Sequence, residues 1–467
     1  MPQYGPFPGV EVQFDKDGNP VTDANASLTV PAAAKPVIDG ITASGATDLI
    51  VISHGWNNDK QQARDLYTGF FTTMKTLVDT NKITIPTARK FFVMAVLWPS
   101  ARFVDPSQIP GGAAGETDTA LADLRAQLGI LRAAFEGDAA AQAAIDKALG
   151  AAPDLETDES AQVAFVRALN ALPSNETEEY DTITTVSDAV TKATAPDADV
   201  DETGLLKRLA AMPVGTPPPA ADDESGGAAS LDMSGAAGTD AGGAAGNIFG
   251  GIKGGALGLA SIFTYKTMKE RAGTVGRVGL APVLKTIRAS FPNIKVHLAG
   301  HSFGARLVTS AANTPWSGSD ATRQASTLAL LQGAFSHFGF AVNYLSLGKN
   351  GAFRDVVGKP ALTGNAIITH SVHDMAVGWA YPAASLFLGQ VASGLASVNP
   401  FGGMGADGAV STPEAVFEDL GDVGHQYAPL PAKMLVRNLK GDQFIAGHGN
   451  ITGPQVVYAF MSNVLRT

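Results

Sequence analysis

The sequence predicts an α/β fold, a mostly parallel central sheet flanked by helices, with a large helical insertion. Three observations predict it. Short apolar runs without polar alternation, Asp48–Ser53 and Phe91–Leu97 among them, read as strands buried on both faces, as parallel sheets require. Helical runs separate them, such as the one from Lys60 onward that repeats Leu66, Phe70, Phe71, Met74 and Leu77 at helical intervals. Residues 104–247, finally, differ in charge from the rest: 25 acidic and 7 basic side chains give that stretch −18, against +7 for the remainder.

The 467 residues suit two or three domains, or one large domain with an insertion. A hydrophobic fraction of 45% fits a globular chain, and 52 glycines with 27 prolines imply much loop. The absence of cysteine excludes disulfides, thiolate metal sites and a cysteine nucleophile. A net charge of −11 argues against nucleic acid as a partner. Residues 1–14 show no basic segment followed by an apolar one, so no secretory signal is visible; a cytoplasmic protein is expected, with a secreted mature form left open.

In chain order, residues 9–14 alternate apolar and polar, and Asp17-Gly18 offers a turn before 20–22, which predicts an N-terminal hairpin. A helical run over 32–41 leads to the buried strand Asp48–Ser53, which ends in His54-Gly55-Trp56-Asn57-Asn58. A His-Gly pair at an inner strand end lets the backbone come close to a substrate, with the N–H of Trp56 aimed at a developing oxyanion. His54 is expected to brace this loop by hydrogen bonds, and Asn57 and Asn58 to cap the helix starting near Lys60. The strand Phe91–Leu97 closes in Trp98-Pro99-Ser100.

The apolar run 294–299 ends in Gly300-His301-Ser302-Phe303-Gly304, and a helix-compatible run over 305–312 follows at once. A strand turning abruptly into a helix forces its middle residue into a strained conformation. Gly300 and Gly304 leave room for that turn, and Ser302 is lifted out with its hydroxyl exposed beside a helix N-terminus. The N–H of Phe303 is the second expected oxyanion donor.

These stretches, strand-His54-Gly55-Trp56-Asn57-Asn58, strand-Trp98-Pro99-Ser100 and His301-Ser302-Phe303-Gly304-Ala305-Arg306, resemble the α/β-hydrolase superfamily, and within it the bacterial group labelled DUF900-like. The resemblance covers the two ends of the chain and implies an α/β-hydrolase core whose N-terminal half is 1–103 and whose C-terminal half is 248–467. Hydrolases of this fold commonly insert helical caps, so the acidic insertion 104–220 is a candidate lid; a solvated acidic decoration is the alternative. Helices are expected near 121–135, 138–149, 159–171 and 203–211, and 221–247 reads as a flexible linker rich in Gly, Ala and Asp. The Gly-rich apolar run 248–259 reads either as a pocket lip that meets a lipid-like substrate or as a packed turn, with a helix over 264–289 after it.

The partners of Ser302 should follow in the order serine, acid, histidine. Asp374, just beyond the strand 366–372, is the expected acid; Asp355 and Asp407 compete but lack a preceding strand. His448 lies between the last strand, 434–439, and the last helix, 455–465, on a loop whose glycines let the ring reach Ser302, whereas His425 precedes that strand. His301 is expected to shape the elbow or acyl pocket. His370, His373 and Asp374 suggest metal ligands, but neither a further ligand nor a clear helical spacing accompanies them, so neither metal nor cofactor is expected.

The expected reaction is hydrolysis of carboxylic esters of hydrophobic substrates, carboxylesterase-like or lipase-like, on small-molecule or polymeric esters including polyesters, through Ser302, His448 and Asp374 and an acyl-enzyme. The same triad serves a thioesterase, amidase or peptidase, and a non-catalytic hydrolase-fold scaffold is the other alternative. Oligomeric state is not legible in the sequence.

Overall fold

The computed structural model describes residues 2–56, 58–100, 119–173, 202–210, 251–316, 325–344, 348–359, 361–374, 377 and 402–467. The expected linker 221–247, Asn57 and residues 248–250 lie outside them.

The described strands are β1 (Gln3–Tyr4), β2 (Phe7–Phe14), β3 (Pro20–Val21), β4 (Asp48–Ser53), β5 (Phe91–Leu97), β6 (Lys295–His301), β7 (Thr327–Leu331), β8 (Ala366–His370), β9 (Ala415–Asp419) and β10 (Val436–Lys440). They form one sheet in the order β1-β2-β5-β4-β6-β7-β8-β10-β9, with β3 paired to β2. Every pairing from β2 to β9 along that order is parallel. Only β1 and β3 run against β2, and β2 with β3 makes the expected hairpin. Its turn is tied by the Asp15 carboxylate, which accepts the backbone N–H groups of Asp17 and Asn19.

Successive side chains of a strand point to opposite faces, and here both faces are covered. In β4, Leu49 and Val51 enter one core while Ile50 and Ile52 enter the other; in β5, Phe92, Met94 and Val96 oppose Phe91, Val93, Ala95 and Leu97. That double burial is why these strands read as unbroken apolar runs. The helices are α1 (Val30–Ser44), α2 (Lys60–Asp79), α3 (Thr119–Ala134), α4 (Ala139–Ala151), α5 (Glu159–Asn170), α6 (Glu202–Ala210), α7 (Ile252–Thr274), α8 (Ala281–Ser290), α9 (Phe303–Asn313), α10 (Arg354–Gly358), α11 (Met404–Asp407) and α12 (Pro454–Val464). The core shared by α1, α8 and α9 lies on one face of the sheet and that of α2 and α12 on the other.

Helices α3 to α6 build a third core of their own from Leu124, Leu128, Ile145, Phe165, Leu205 and Leu206. The first turns of α7 complete it with Ala256, Leu259 and Ala260, and the same helix then delivers Met268 and Ala272 to the sheet. The Gly-rich run from Ile252 is thus buried helix, which corrects its reading as a lip or turn. One helical path runs from Ile252 to Ser290 through a π-helical segment, Val275–Leu280, instead of starting at Thr264. Packing explains it: small residues at 254–256 let α7 settle against the insertion's core, and burial of that face outweighs the low helix propensity of glycine. Arg271 joins the two regions by donating to the carbonyls of Pro99 and Ala134 at 2.8 and 2.6 Å, and its burial lowers its pKa to about 10. No helix among the described residues is long and apolar enough to cross a membrane.

Candidate active site

Parallel strands put all their carboxyl ends on one edge, and the candidate residues converge there: His54 follows β4, Ser302 follows β6, Gln332 follows β7, Asp374 lies beyond β8 and His448 beyond β10. Ser302 sits between the last residue of β6 and the first of α9, with φ 56° and ψ −125°. A non-glycine residue there costs on the order of 1–3 kcal/mol and persists only where its surroundings enforce it. Enforcement is visible in the backbone: the Ser302 N–H donates to Leu331 O at 3.2 Å and its carbonyl accepts from Ala334 at 3.0 Å. A side chain on Gly300 would strike the backbone of Gly304, and one on Gly304 the carbonyls of Ser53 and His54. Gly55 packs so closely on the nucleophile that an added Cβ would lie 2.6 Å from Ser302 Cβ and 3.1 Å from His301 Nδ1.

The Asp374 carboxylate is buried and receives His448 Nδ1 at 2.9 Å from each oxygen. Because a carboxylate only accepts, Nδ1 carries the proton and Nε2 a lone pair, with no partner among the described residues. The Val377 N–H also donates to Asp374 Oδ1, at 3.0 Å. No hydrogen bond joins the Ser302 hydroxyl to His448 among the described residues. The His448 ring does stand 4.8 Å, centroid to centroid, from that of His301, the neighbour of Ser302. His301 donates Nε2–H to the His448 carbonyl at 2.9 Å, which leaves its buried Nδ1 as a bare acceptor without a partner among the described residues. Burial, reinforced by the nearby His448 ring, lowers the His301 pKa to about 3, so it stays neutral. The Gln332 side chain donates to the carbonyls of Gly447 and His448, at 2.8 and 2.6 Å.

His54 is fully engaged. Its Nδ1 donates to Gly55 O at 2.8 Å, its Nε2 accepts the Trp98 N–H at 3.3 Å, its carbonyl accepts Trp98 Nε1–H at 3.0 Å and its own N–H is bound by the Tyr67 hydroxyl at 2.7 Å. The ring stacks on Trp98, and burial lowers its pKa to about 4. Trp56 and Phe303 lie side by side with ring centroids 5.7 Å apart. Phe303 is the first residue of α9, where backbone N–H groups have no intrahelical acceptor. Helix α2 is capped by Asp59 in a capping box with Gln62, a correction to the expected asparagine cap; Asn58 instead donates its side-chain amide to Trp56 O at 3.1 Å and exchanges hydrogen bonds with Ser100.

The competing residues are placed elsewhere. Asp355 pairs with Lys359 in α10 at 2.7 Å, and the His425 ring packs edge-on against Tyr427. Asp407, the last residue of α11, binds His337 Nδ1 at 2.9 Å, a His–Asp pair that sequence spacing did not reveal because its members are 70 residues apart and neither follows a recognised strand end. His370 contacts the carbonyl of Ala406 at 3.3 Å. Among the described residues no three His, Cys, Asp or Glu side chains are arranged to hold a metal ion. Gln332 was also missed; a glutamine after a strand carries no sequence signal. Compared with protein-family models, with curated proteins and with solved structures, the chain matches none of them.

Proposed function

We propose that this chain is an α/β-hydrolase-fold serine hydrolase of carboxylic esters. The observation that carries the reading is the pairing of a strained serine at a strand-to-helix turn with a histidine whose Nδ1 is locked to a buried carboxylate and whose Nε2 is unengaged. Serine, acid and histidine occur in the chain order of that fold, each after a parallel strand. In the proposed reaction Ser302 Oγ attacks the ester carbonyl carbon as its proton passes to His448 Nε2. The N–H groups of Trp56 and Phe303 receive the tetrahedral oxyanion, and Asp374 steadies the imidazolium. His448 then protonates the departing alcohol, and water, deprotonated by the same nitrogen, releases the acid from Ser302.

Hydrophobic esters, small or polymeric, are the proposed substrates, with α3 to α6 as a lid over the carboxyl edge. Arg271 is the joint that would transmit its movement to the loop after β5. A non-catalytic scaffold is the second reading, favoured by the missing hydrogen bond between Ser302 and His448. Such bonds are often long in free enzymes and tighten with substrate.

Reaction with a fluorophosphonate probe separates the two. The hydrolase reading expects stoichiometric labelling that vanishes in Ser302→Ala; a wild type inert to the probe and to p-nitrophenyl esters of every chain length would leave the scaffold. Turnover of matched ester, thioester and anilide substrates then sets the leaving group. For the lid, wild type and Arg271→Met are compared on esters graded by acyl length, and identical profiles would remove the lid from the proposal.

A further inference from the structure

We propose that Gln332 is a positioning residue that holds the histidine loop in register with the nucleophile. This rests on the hydrolase reading above. Gln332 is buried and, unusually for a side chain of its size, adopts φ 46°. Its amide orientation is dictated by its partners: Nε2 faces two carbonyls, Gly447 O at 2.8 Å and His448 O at 2.6 Å, whereas the reverse orientation would set oxygen against oxygen. The amide oxygen is left buried with no partner among the described residues. A strained backbone and an unsatisfied acceptor in one residue are two costs that folding alone does not require.

What Gln332 gains is connection to the segments that carry the serine, the acid and the histidine. The carbonyl of Leu331, one residue before it, accepts the Ser302 N–H; its own N–H donates to Thr369, on the strand that leads to Asp374. Its backbone packs on Gly405, the glycine that also lies against Asp374 Oδ2. Its side chain and that of His301 together occupy the His448 carbonyl. His448 is therefore held twice, through its ring by Asp374 and through its main chain by Gln332 and His301. The second hold sets how far Nε2 stands from Ser302, because a glycine-flanked loop offers little stiffness of its own.

The test uses Gln332→Met, which keeps the length and loses both donors, and Gln332→Glu, which keeps the shape. In Q332M, kcat on p-nitrophenyl butyrate should fall about 10- to 100-fold with KM nearly constant, as expected when a reacting group is misplaced by a fraction of an ångström. In Q332E an ionised carboxylate repels both carbonyls, while the protonated acid restores one donor. The ratio of Q332E to wild-type activity should therefore rise as pH is lowered from about 8 to about 6, burial having raised the new carboxyl's pKa. The titratable groups facing it are His301, His448 and Asp374, and wild type measured at each pH is the reference. A wild type that does not react with the fluorophosphonate overturns the hydrolase reading and this role together. A reactive wild type with an unchanged Q332M kcat, or with a flat Q332E ratio whether or not Q332M folds, overturns the positioning role alone.

Discussion

Two His–Asp pairs sit at opposite edges of the same sheet, and they differ in what the histidine has left over. At the amino edge, His297 on β6 gives Nε2–H to Asp48 on β4 at 2.9 Å and takes a hydrogen bond from the Thr327 hydroxyl through Nδ1 at 2.9 Å. Both nitrogens are spent, both side chains are fully buried, and Arg89 covers the other side of the carboxylate. At the carboxyl edge, His448 spends only Nδ1, and a strained serine stands in the same cluster of loops. A His–Asp contact alone therefore does not mark a candidate base; an unengaged second nitrogen beside a strained serine at a strand-to-helix turn does. His337 tests the distinction: its Nε2 also has no partner among the described residues, but the positive-φ serine near it, Ser411, lies exposed in a turn and not between a strand and a helix.

The comparison breaks or holds most sharply on rate. His448→Ala should lower kcat by on the order of 10⁴-fold or more, and Asp374→Asn by about 10⁴-fold because the amide favours the wrong tautomer, with unfolding midpoints near that of wild type. His297→Leu should leave the specific activity of the folded fraction unchanged. Stopped assays on p-nitrophenyl butyrate, normalised to folded protein by circular dichroism, check all three. If H297L lost activity as H448A does, the two edges would not be functionally separate.

Next in size is the approach of Gly55 to the nucleophile. Gly55→Ala adds a methyl 2.6 Å from Ser302 Cβ, and the oxyanion loop must withdraw from the elbow to admit it. A fall in kcat/KM of about 100-fold is expected, with the fluorophosphonate rate falling in parallel. No such loss is expected from crowding at the amino edge, where H297L instead costs stability: about 3 kcal/mol, because Asp48 is left buried with one partner fewer. Urea unfolding of the two variants measures the contrast.

The carboxyl edge was legible because its chemistry is written locally. Gly300-His301-Ser302-Phe303-Gly304 names its own geometry, since two glycines around a serine between strand and helix have a steric reason. Asp374 and His448 follow from strand ends and chain order. The amino-edge pair was not legible, because Asp48 and His297 look like ordinary members of apolar runs and meet only through the parallel register of β4 and β6. Gln332 was hidden for the same reason: its partners lie 115 and 116 residues away. β9 was missed since its edge position leaves an alternation of exposed and half-buried residues without a strong apolar signal. The helix at Ile252 was missed because its glycines argue for a turn until the insertion's core is seen packed on them.

The smallest effect is the dependence of stability on pH, to which the amino-edge pair contributes through both of its members. Burial lowers the pKa of His297 despite its bond to Asp48, so its folded value lies below the roughly 6.5 of the unfolded chain. Between the two values the unfolded state binds more protons, and stability falls as pH drops from about 6.5. Burial by itself would raise the Asp48 carboxyl, but hydrogen bonds from His297, Arg89 and Thr47 outweigh it and hold the pKa well below the ordinary range. Its contribution is present above about pH 4 and is lost as pH falls further. The wild-type midpoint should therefore decline in two stages, one below about 6.5 and one below about 4. H297L should flatten the first by up to about one bound proton, and Asp48→Asn the second. His54 and His301, also held neutral by burial, keep part of the first stage in H297L. A midpoint rising on acidification, or an H297L slope equal to that of wild type, would mean that the amino-edge pair is not the buried neutral-histidine clasp its geometry describes.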